Sequence, residues 1–325
     1  MKAFILSAYS PPHDFTARWL TESAREDPFA IHELAKSPAD ADLILFAEGH
    51  TAGDPYYLAV RRHLVWRRYR DRCFLYHDED YVVPLVPGLF PALENWDLDL
   101  AHAVGAPYMA RLAESPIPGS TVPIGSDALL YSFVGSTATH PVRREVMRLS
   151  HDARAHCEDA GEAQSWLLSP KEKEEYFAKF ARVMARSRFV LCPRGNSPST
   201  YRLYEAMEMG RAPVIISDAF TPFEGPDWAR FSLRVAESEV SSIPLILRAN
   251  EALSDEMGRV ARETWERWVA KPVCFHRTVE AAQDLLAHRR ASNGEIPFRY
   301  LRKFLTPFHL KNLLRFVLRN RRRLV

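Results

Sequence analysis

The sequence predicts an α/β protein built from two Rossmann-like domains. Short apolar runs alternate along the chain with segments of helical periodicity, a pattern typical of parallel sheets flanked by helices. At 325 residues the chain exceeds a usual single domain, so two domains of roughly 130–170 residues each are expected. The residues from Phe189 to Asp218 also have the length and pattern of a strand–turn–helix–strand crossover, which joins parallel strands.

The bulk composition is that of a soluble globular protein, with 47% hydrophobic and 26% charged residues. The four cysteines have no close spacing, so neither a zinc motif nor a thioredoxin motif is present, and a reducing compartment is favoured. No apolar run approaches the roughly 18 residues that a spanning helix needs, and no signal peptide is visible. The sequence therefore predicts a cytoplasmic protein that does not cross a membrane.

The domain boundaries are set by the pattern of strands and helices. A new strand–helix unit begins at Leu129, which separates a first domain at residues 1–127 from a second domain at residues 128–285. The remaining residues, 286–325, form a basic helical tail.

The stretch from Phe189 to Asp218 predicts an anion-binding corner. Its apolar strand ends in a polar turn that starts at Arg194, and Ser197 and Pro198 have the pattern of an N-cap and a first helical residue. The helix is expected to end at Gly210. Because ligands of parallel sheets bind beyond the carboxyl ends of the strands, the free N–H groups of this helix start would meet an anion there.

The same stretch resembles a known family. The helix Leu203–Met207, followed by Gly210, is similar to the donor-nucleotide helix of two-domain (GT-B) glycosyltransferases. The wider run SRFVLCPRGNSPSTYRLYEAMEMGRAPVIISD resembles the exostosin family (glycosyltransferase family 47), which has a similar CPRG turn and P-V-I-I-S-D strand. Further similar segments are Phe133 to Arg144, Asp227-Trp228 and Phe231 to Val235.

This resemblance covers roughly residues 128–250 and is absent from the tail. It implies a GT-B-like fold, in which two Rossmann-like domains face a cleft. It also implies transfer of a sugar from a nucleotide-sugar, specifically a UDP-sugar, to a polysaccharide or lipid-linked glycan. The second domain would then bind the donor, and the first domain would lie on the acceptor side.

The predicted donor site combines charge with hydroxyl acceptors. An arginine at a strand end can pair with a diphosphate in a bidentate manner, so Arg194 is the first candidate. Arg202 is placed to reach the phosphate or Glu205, and the resemblance implies that Glu205 accepts the ribose hydroxyls. The alternative for Arg202 and Glu205 is an ordinary surface pair on a helix. The complete predicted nucleotide-sugar site is Arg194, Gly195, Asn196, Ser199, Arg202, Glu205, Gly135 and Ser136.

The resemblance implies an inverting reaction that uses a base from the first domain. Common retaining GT-B enzymes carry a second glutamate eight residues before the ribose glutamate, where this chain has Ser197. In an inverting reaction a base deprotonates the acceptor hydroxyl as it attacks the anomeric carbon. Glu48, His50 and Asp78 follow predicted strands of the first domain and are the candidate catalytic bases, and the sequence does not choose among them. The alternative is that they are solvated loop residues.

No cofactor is expected. Asp78 and Asp80 form an Asp-x-Asp triplet, which also occurs as the metal clamp of single-domain (GT-A) transferases. Because the predicted anion site lies elsewhere, we expect metal-independent transfer, with a magnesium or manganese site as the alternative.

The tail predicts contact with an anionic membrane. From residue 296 onwards there are nine Lys and Arg residues and no acid, which leaves the rest of the chain acidic. Leu310, Leu313, Leu314, Val317 and Leu318 share one helical face, whereas Lys311, Arg315, Arg319 and Arg322 share the other. This pattern is typical of an interfacial helix. The alternative is a C-terminal helix that packs back on the first domain, as in GT-B enzymes.

The sequence thus predicts an exostosin-type glycosyltransferase that is peripheral on the cytoplasmic face of a membrane. No nucleic-acid partner is expected, because the body is acidic and lacks an aromatic-rich RNA or DNA motif. The alternative function is a non-catalytic nucleotide- or glycan-binding module of a membrane-associated complex, which would keep Arg194 and Glu205 but would need no base.

Overall fold

The chain forms two α/β units, each with its own parallel sheet. The computed structural model describes all residues except 50–53, 55, 110–123, 126–127, 152, 162–168, 290–297 and 325. One unit comprises residues 1–106 and 271–325, and the other comprises residues 107–270. Each unit has its own sheet, and all the paired strands of both sheets are parallel. The predicted fold class, with two Rossmann-like units and a helical tail, is confirmed.

The first unit contains a six-stranded sheet with the order β2-β1-β3-β4-β5-β6. Its strands are β1 (Lys2–Leu6), β2 (Glu33–Leu34), β3 (Leu43–Glu48), β4 (Cys73–His77), β5 (Gly88–Phe90) and β6 (Ala103–Gly105). Its helices are α1 (Phe15–Glu26), α2 (Leu58–Arg62), α3 (Leu64–Arg68), α9 (Lys271–His288), α10 (Phe298–Leu301) and α11 (Pro307–Leu324). Strands β3 and β4 are buried along their whole length, as near-continuous apolar runs require.

The second unit contains a five-stranded sheet with the order β11-β10-β9-β7-β8. Its strands are β7 (Leu129–Gly135), β8 (Ala155–Asp159), β9 (Ser187–Pro193), β10 (Ala212–Ile216) and β11 (Leu233–Val235). Its helices are α4 (Pro141–Met147), α5 (Pro170–Ala185), α6 (Tyr201–Glu208), α7 (Ile243–Ala249) and α8 (Ser254–Trp268). The predicted crossover is present, since β9, α6 and β10 follow one another and β9 pairs with β10 in parallel.

Helix α6 begins later than the sequence predicts. The N-cap is Thr200 rather than Ser197, because the Ser197 hydroxyl has other partners. It donates to the carbonyl of Ser199 at 2.7 Å and accepts from the hydroxyl of Tyr108 at 2.8 Å. Residues 194–200 therefore remain a loop.

The end of α6 lies where the sequence predicts it. Gly210 has a positive φ of 68°, and its N–H bonds to the carbonyl of Met207 at 3.0 Å. The next N–H, from Arg211, reaches the carbonyl of Ala206 at 2.9 Å. This pair of bonds is a Schellman motif, which explains why glycine follows the helix.

The units divide at residues 106 and 270, whereas the sequence predicts boundaries at 127 and 285. Helix α9 belongs to the first unit because it packs on α1. The N–H of Phe275 donates to Ser23 Oγ at 2.9 Å, and Lys271 Nζ lies 3.1 Å from carboxylate oxygens of Glu22 and Glu26. These contacts join residues about 250 positions apart, so local sequence patterns could not reveal them.

The tail is part of the first unit rather than a separate segment. Tyr300 is fully buried in the core of this unit, and Phe304, Leu313 and Phe316 pack against that core. The backbone carbonyl of His309 accepts from the Tyr56 hydroxyl at 3.1 Å. Leu313 therefore faces inward, whereas Leu310, Leu314, Val317 and Leu318 are exposed, so the predicted single apolar face is divided between core and solvent. Among the described helices, none is long and apolar enough to cross a bilayer.

Candidate functional site

The second unit has a topological switch point between β7 and β9. From β7 the chain first forms β8 on one side and then crosses to form β9 on the other. Ligands of open parallel sheets bind outside the carboxyl ends of strands at such a point. Those ends are Gly135 and Pro193, so the predicted residues Ser136 and Arg194 lie at the edge where a ligand is expected.

Arg143 on α4 holds the two strand ends together. Its guanidinium donates to the carbonyls of Arg194 at 3.0 Å, Ser136 at 3.1 Å and Pro193 at 3.3 Å. Gly195 allows this approach, because a Cβ there would lie only 2.9 Å from Arg143 Nη2. One half-buried cation thus bonds to both loops.

Arg194 is only loosely paired. Its Nη1 lies 3.6 Å from Glu237 Oε1, its Nε is buried without a hydrogen-bond partner among the described residues, and its side chain is 15% exposed. The same Glu237 oxygen accepts the N–H of Asp218 at 3.1 Å. Arg194 therefore keeps donors for a ligand, which a diphosphate would use.

His140 lies beside this pair and caps α4. Its Nδ1 accepts the N–H of Val142 at 3.3 Å, and its Nε2 lies 4.0 Å from Glu237 Oε2. Burial and the neighbouring Arg194 lower the pKa of His140, whereas Glu237 opposes this shift. The imidazole is therefore held in its neutral form near pH 7.

Arg202 and Glu205 form a buried pair on α6. Arg202 Nη1 lies 2.7 Å from Glu205 Oε2, and Arg202 Nη2 donates to the carbonyl of Val134 at 3.2 Å. The Arg202 guanidinium also lies over the ring of Phe180, 4.6 Å from its centroid. The Glu205 side chain is only 9% exposed, so the pair is not the surface pair that the alternative requires. The ribose-binding role of Glu205 stays a prediction.

The remaining predicted donor residues differ in exposure. Asn196 is exposed, whereas Ser199 is buried and its Oγ has no hydrogen-bond partner in the described part of the chain. Gly135 lies close to the ring of Phe133, since a Cβ at this glycine would be 3.0 Å from it. All eight predicted residues belong to the end of β7 and the residue after it, the loop after β9, or helix α6. Their roles in binding remain predictions.

Sequence reasoning missed Arg143, His140 and Glu237. Arg143 belongs to a segment that resembles exostosins, and His140 precedes a proline as a helix cap often does. Neither signal shows which strand ends become neighbours. That depends on strand order, which only the structure provides.

The first unit has a corresponding switch point between β1 and β3, and Glu48 lies there. Glu48 is 0% exposed and accepts from the Ser7 hydroxyl at 2.6 Å and from the N–H of Ala8 at 2.8 Å. Burial raises the pKa of Glu48 to about 7, against these two hydrogen bonds. Asp78 is also buried, and its N–H donates to the backbone carbonyl of Glu48 at 2.8 Å. His50 lies outside the described residues.

Further titratable side chains, which the sequence did not single out, lie near Glu48. The Tyr9 hydroxyl donates to Asp54 Oδ2 at 3.0 Å, and the Tyr57 hydroxyl bonds to His77 Nδ1 at 2.7 Å. Burial raises the pKa of Tyr9 and of Tyr57 well above the usual tyrosine range. Both phenols therefore stay protonated near neutral pH.

The Asp-x-Asp triplet does not form an evident metal site. Asp78 is buried and Asp80 is half-buried. Within the part of the chain that the structure describes, no group of three or more His, Cys, Asp or Glu side chains is disposed to hold a metal ion. Metal independence stays a prediction.

Comparison with known families identifies the segment that carries the Arg194 loop. The sequence profile described as the Exostosin GT47 domain matches residues 102–250. Residues 102–250 are an exostosin GT47 domain. The predicted family is thus confirmed, and Arg143, Arg194, Arg202, Glu205 and Glu237 all belong to the exostosin domain.

Curated relatives match parts of the chain. A probable glucuronosyltransferase of Oryza sativa subsp. japonica is 33% identical over 110 residues, which cover 33% of this chain and 25% of that protein. An exostosin-1 homolog of Caenorhabditis elegans is 31% identical over 103 residues, which cover 30% of this chain and 27% of that protein. The matched segments thus span about a quarter of the length of these relatives.

Among solved structures, a glycosyltransferase from Rickettsia africae resembles the chain with 11% sequence identity and a TM-score of 0.47. The match covers 88% of this chain and 98% of that one.

Proposed function

We propose that the protein is a glycosyltransferase that moves a sugar from a UDP-sugar to a polysaccharide or lipid-linked glycan. This proposal rests on Arg194, which lies at the switch point of an exostosin domain and has guanidinium N–H groups that are not fully hydrogen-bonded. The names of the relatives, glucuronosyltransferase and exostosin homolog, support the same class of activity.

The donor diphosphate would bind at the carboxyl ends of β7 and β9. Arg194 supplies two N–H groups in the fork geometry that suits phosphate oxygens. The N–H groups at the start of α6 and the Ser199 hydroxyl add further donors on the same side of the loop. Arg143 positions the loop without contacting the ligand, and Glu205 would accept the ribose hydroxyls.

The acceptor would be activated by a base of the first unit, in an inverting displacement. The base removes the acceptor proton, the acceptor oxygen attacks the anomeric carbon, and the nucleoside diphosphate leaves with the bonding pair. Glu48 is the candidate that we favour, because burial raises its pKa to about 7, a value that suits a general base at neutral pH.

Donor binding is the direct test, because a ligand of the folded state raises its thermal stability. We expect the intact protein to be stabilised by at least one UDP-sugar, and Arg194→Ala to weaken that binding roughly 10- to 100-fold, as loss of hydrogen bonds to a charged ligand predicts. Arg144→Ala is the matched control, since Arg144 is an exposed arginine beside Arg143. Equal affinities of both variants would contradict the role of Arg194.

Turnover and metal dependence are measured on the same protein. Incubation with each bound donor and a panel of glycans, followed by mass spectrometry, should give a glycan one sugar heavier. We propose that transfer needs no metal ion, so it should persist in excess EDTA. Loss of transfer in EDTA, with recovery on adding magnesium or manganese, would contradict metal independence.

One observation favours the non-catalytic alternative, in which the chain only binds nucleotide or glycan. Glu48 and Asp78 are both buried, whereas a base must reach the acceptor hydroxyl. The alternative predicts donor binding without any turnover. The enzyme proposal instead predicts that Glu48→Gln or Asp78→Asn lowers kcat while leaving donor affinity unchanged.

We also propose that the tail binds an anionic membrane surface on the cytoplasmic side. Five large apolar residues in the described part of α11 are exposed, as are the cations Lys311 and Arg315, which supports this proposal. Deleting residues 296–325 would remove the buried Tyr300, so substitution is the cleaner test. Leu314→Asp should reduce flotation with anionic liposomes, and Leu245→Asp, which changes an even more exposed leucine of the second unit, should not.

A further inference from the structure

We propose that the loop at residues 94–100 and the tail form one surface that inserts into an anionic bilayer, with Trp96 as its aromatic anchor. This inference rests on the proposed membrane binding of the tail. It adds a second element, distant in sequence, that the tail alone does not predict. Below, "bilayer surface" denotes the exposed apolar side chains Trp96, Leu98, Leu100, Phe298, Leu301, Leu305, Leu310, Leu314, Val317 and Leu318.

The loop at residues 94–100 exposes three large apolar side chains to solvent. Trp96 is 61% exposed, and Leu98 and Leu100 are also exposed, all within five residues. Single exposed leucines are common on soluble proteins, but three large apolar residues in one short loop are not. The same loop buries Asp97, a reversal of the usual pattern of apolar residues inside and acids outside.

The buried and half-buried acids of the loop bind the tail. Lys303 Nζ lies 2.7 Å from Glu94 Oε2 and 2.5 Å from Asp97 Oδ2. Arg299 Nη2 lies 2.5 Å from Asp99 Oδ2. These ion pairs hold the loop against the start of the tail.

A hydrogen bond strengthens this attachment from inside the core. The hydroxyl of the buried Tyr300 donates to the backbone carbonyl of Asp97 at 3.0 Å. Tyr300 belongs to α10, which also carries the exposed residues Phe298 and Leu301. The same short helix therefore binds the loop and presents apolar side chains to solvent. Phe298 is 73% exposed. The exposed apolar side chains of the loop and of α10 are thus held on adjoining elements, and the proposal extends this surface along the tail.

The pairing also decides the charge of that surface. Lys303 pairs with both Glu94 and Asp97, and Arg299 pairs with Asp99, so two tail cations offset most of the charge of the three loop acids. The tail cations that remain exposed include Arg302, Lys311 and Arg315, and residues 298–324 contain no acid. The apolar surface therefore has a positive rim.

A positive rim around exposed apolar residues fits an anionic bilayer. Lysine and arginine attract acidic headgroups, while leucine and phenylalanine enter the acyl boundary. Tryptophan is enriched at this interface because its ring is apolar and its N–H is polar. The indole N–H of Trp96 donates to Glu94 Oε2 at 3.1 Å, so the ring is attached to the same ion pair that holds the tail. A second copy of the chain fits less well, because two positive rims would repel each other.

The test uses the intact protein and vesicles of phosphatidylcholine with 30% phosphatidylglycerol, some with brominated acyl chains that quench tryptophan on contact. We expect quenching of the intact protein, loss of most of it in Trp96→Phe, and retained flotation of that variant. Trp96→Ser combined with Leu98→Ser should weaken vesicle binding about tenfold, as burial of large apolar side chains predicts. The paired control is Leu64→Ser with Leu245→Ser, which changes two exposed leucines outside the bilayer surface.

The outcomes separate this inference from the proposals on which it rests. Binding that falls with Leu314→Asp but is unchanged by the Trp96 and Leu98 substitutions would overturn the loop's role and leave the tail proposal standing. No flotation of the intact protein would overturn both, whereas donor binding is measured without vesicles. Equal binding to pure phosphatidylcholine, or a dimer that the loop substitutions dissociate, would overturn the anionic bilayer as the partner.

Discussion

The two switch points of the molecule have the same topology and opposite charge. In the second unit, the ends of β7 and β9 are joined by Arg143 and followed by Arg194. In the first unit, the ends of β1 and β3 are joined by the carboxylate of Glu48, which bonds to Ser7 and Ala8. Parallel sheets thus determine where a ligand can bind, and the residues after each strand determine which chemistry it meets.

The two points also differ in how far their polar groups are satisfied. Both Glu48 oxygens accept hydrogen bonds in a site without solvent exposure. Arg194, in contrast, is partly exposed and has a buried Nε without a described partner. Under the proposed function, Arg194 would therefore meet a donor phosphate without rearrangement, whereas Glu48 would have to be uncovered before it could meet an acceptor hydroxyl.

Removing the Arg143 side chain, which joins the ends of β7 and β9, should have the largest effect on stability. Arg143→Ala leaves three carbonyls of Ser136, Pro193 and Arg194 without their donor, which we expect to lower the free energy of unfolding by about 4 kcal/mol. Donor binding should be lost as well. Chemical denaturation and calorimetry measure both, with Arg144→Ala as the control. A stable Arg143→Ala variant that binds donor normally would show that Arg143 does not shape the site.

Neutralising Glu48 should change the pH dependence of the first unit. Because the pKa of Glu48 is raised to about 7, the folded state holds its proton more tightly than the unfolded state does. The stability from this group is fully present below about pH 4.5 and is lost as pH rises through 7, a change of about 3 kcal/mol. Glu48→Gln stays neutral, so its free energy of unfolding should exceed that of the intact protein increasingly as pH rises from 4.5 to 8.

The exposed Glu33 provides the control for this comparison, since Glu33→Gln should leave the pH profile unchanged. A constant difference between Glu48→Gln and the intact protein across that range would mean that Glu48 titrates normally. The conclusion that burial keeps Glu48 partly protonated near neutral pH would then be wrong.

The buried pair of α6 should show a smaller, coupled effect. Arg202 is held by Glu205, the carbonyl of Val134 and the ring of Phe180, so Glu205→Gln weakens only one of three contacts. We expect a loss of about 1–2 kcal/mol in the free energy of unfolding, and a coupling of similar size with Arg202→Gln in a double-mutant cycle.

Calorimetry of Glu205→Gln then separates structure from binding. If Glu205 accepts ribose hydroxyls, affinity for UDP-sugars should fall while affinity for inorganic pyrophosphate stays the same. An equal loss for both ligands would mean that Glu205 only positions Arg202.

The sequence predicted those features whose causes are local. The apolar run of β9 and the glycine that ends α6 are both encoded within a few residues. The start of α6 was placed wrongly because Tyr108, which takes up the Ser197 hydroxyl, lies 89 residues away in sequence. Leu313 was placed on the exposed face of the tail because periodicity shows that an apolar stripe exists but not how much of it the core covers.

The candidate site was predictable to the same extent. Arg194 and Glu205 could be found because they lie in one continuous motif. Arg143 could not, since its acceptors Pro193 and Arg194 are 50 and 51 residues away and become neighbours of Ser136 only through the order of β7 and β9. A residue that acts across strand ends needs the strand order before its role can be inferred.

Gly195→Ala should change stability least, yet it tests whether Arg143 positions the loop that carries Arg194. Gly195 has no positive φ, so Gly195→Ala introduces no backbone strain and restricts the unfolded chain. Its new methyl group would lie 2.9 Å from Arg143 Nη2 and 3.3 Å from Thr139 Oγ1. Arg143 must then shift by a few tenths of an ångström and lengthen its bond to Pro193. We expect the free energy of unfolding to change by less than about 1 kcal/mol, because the two effects oppose each other.

Donor affinity should nevertheless fall several-fold in Gly195→Ala, because the loop that carries Arg194 moves with Arg143. In the Arg143→Lys background, where the shorter ammonium group no longer crowds Gly195, the same alanine should have no further effect. Calorimetry of the four proteins gives this coupling directly. Additive losses of donor affinity in the double variant would mean that Gly195 contacts the donor itself. The loop, and not Arg143, would then determine how the anion is bound.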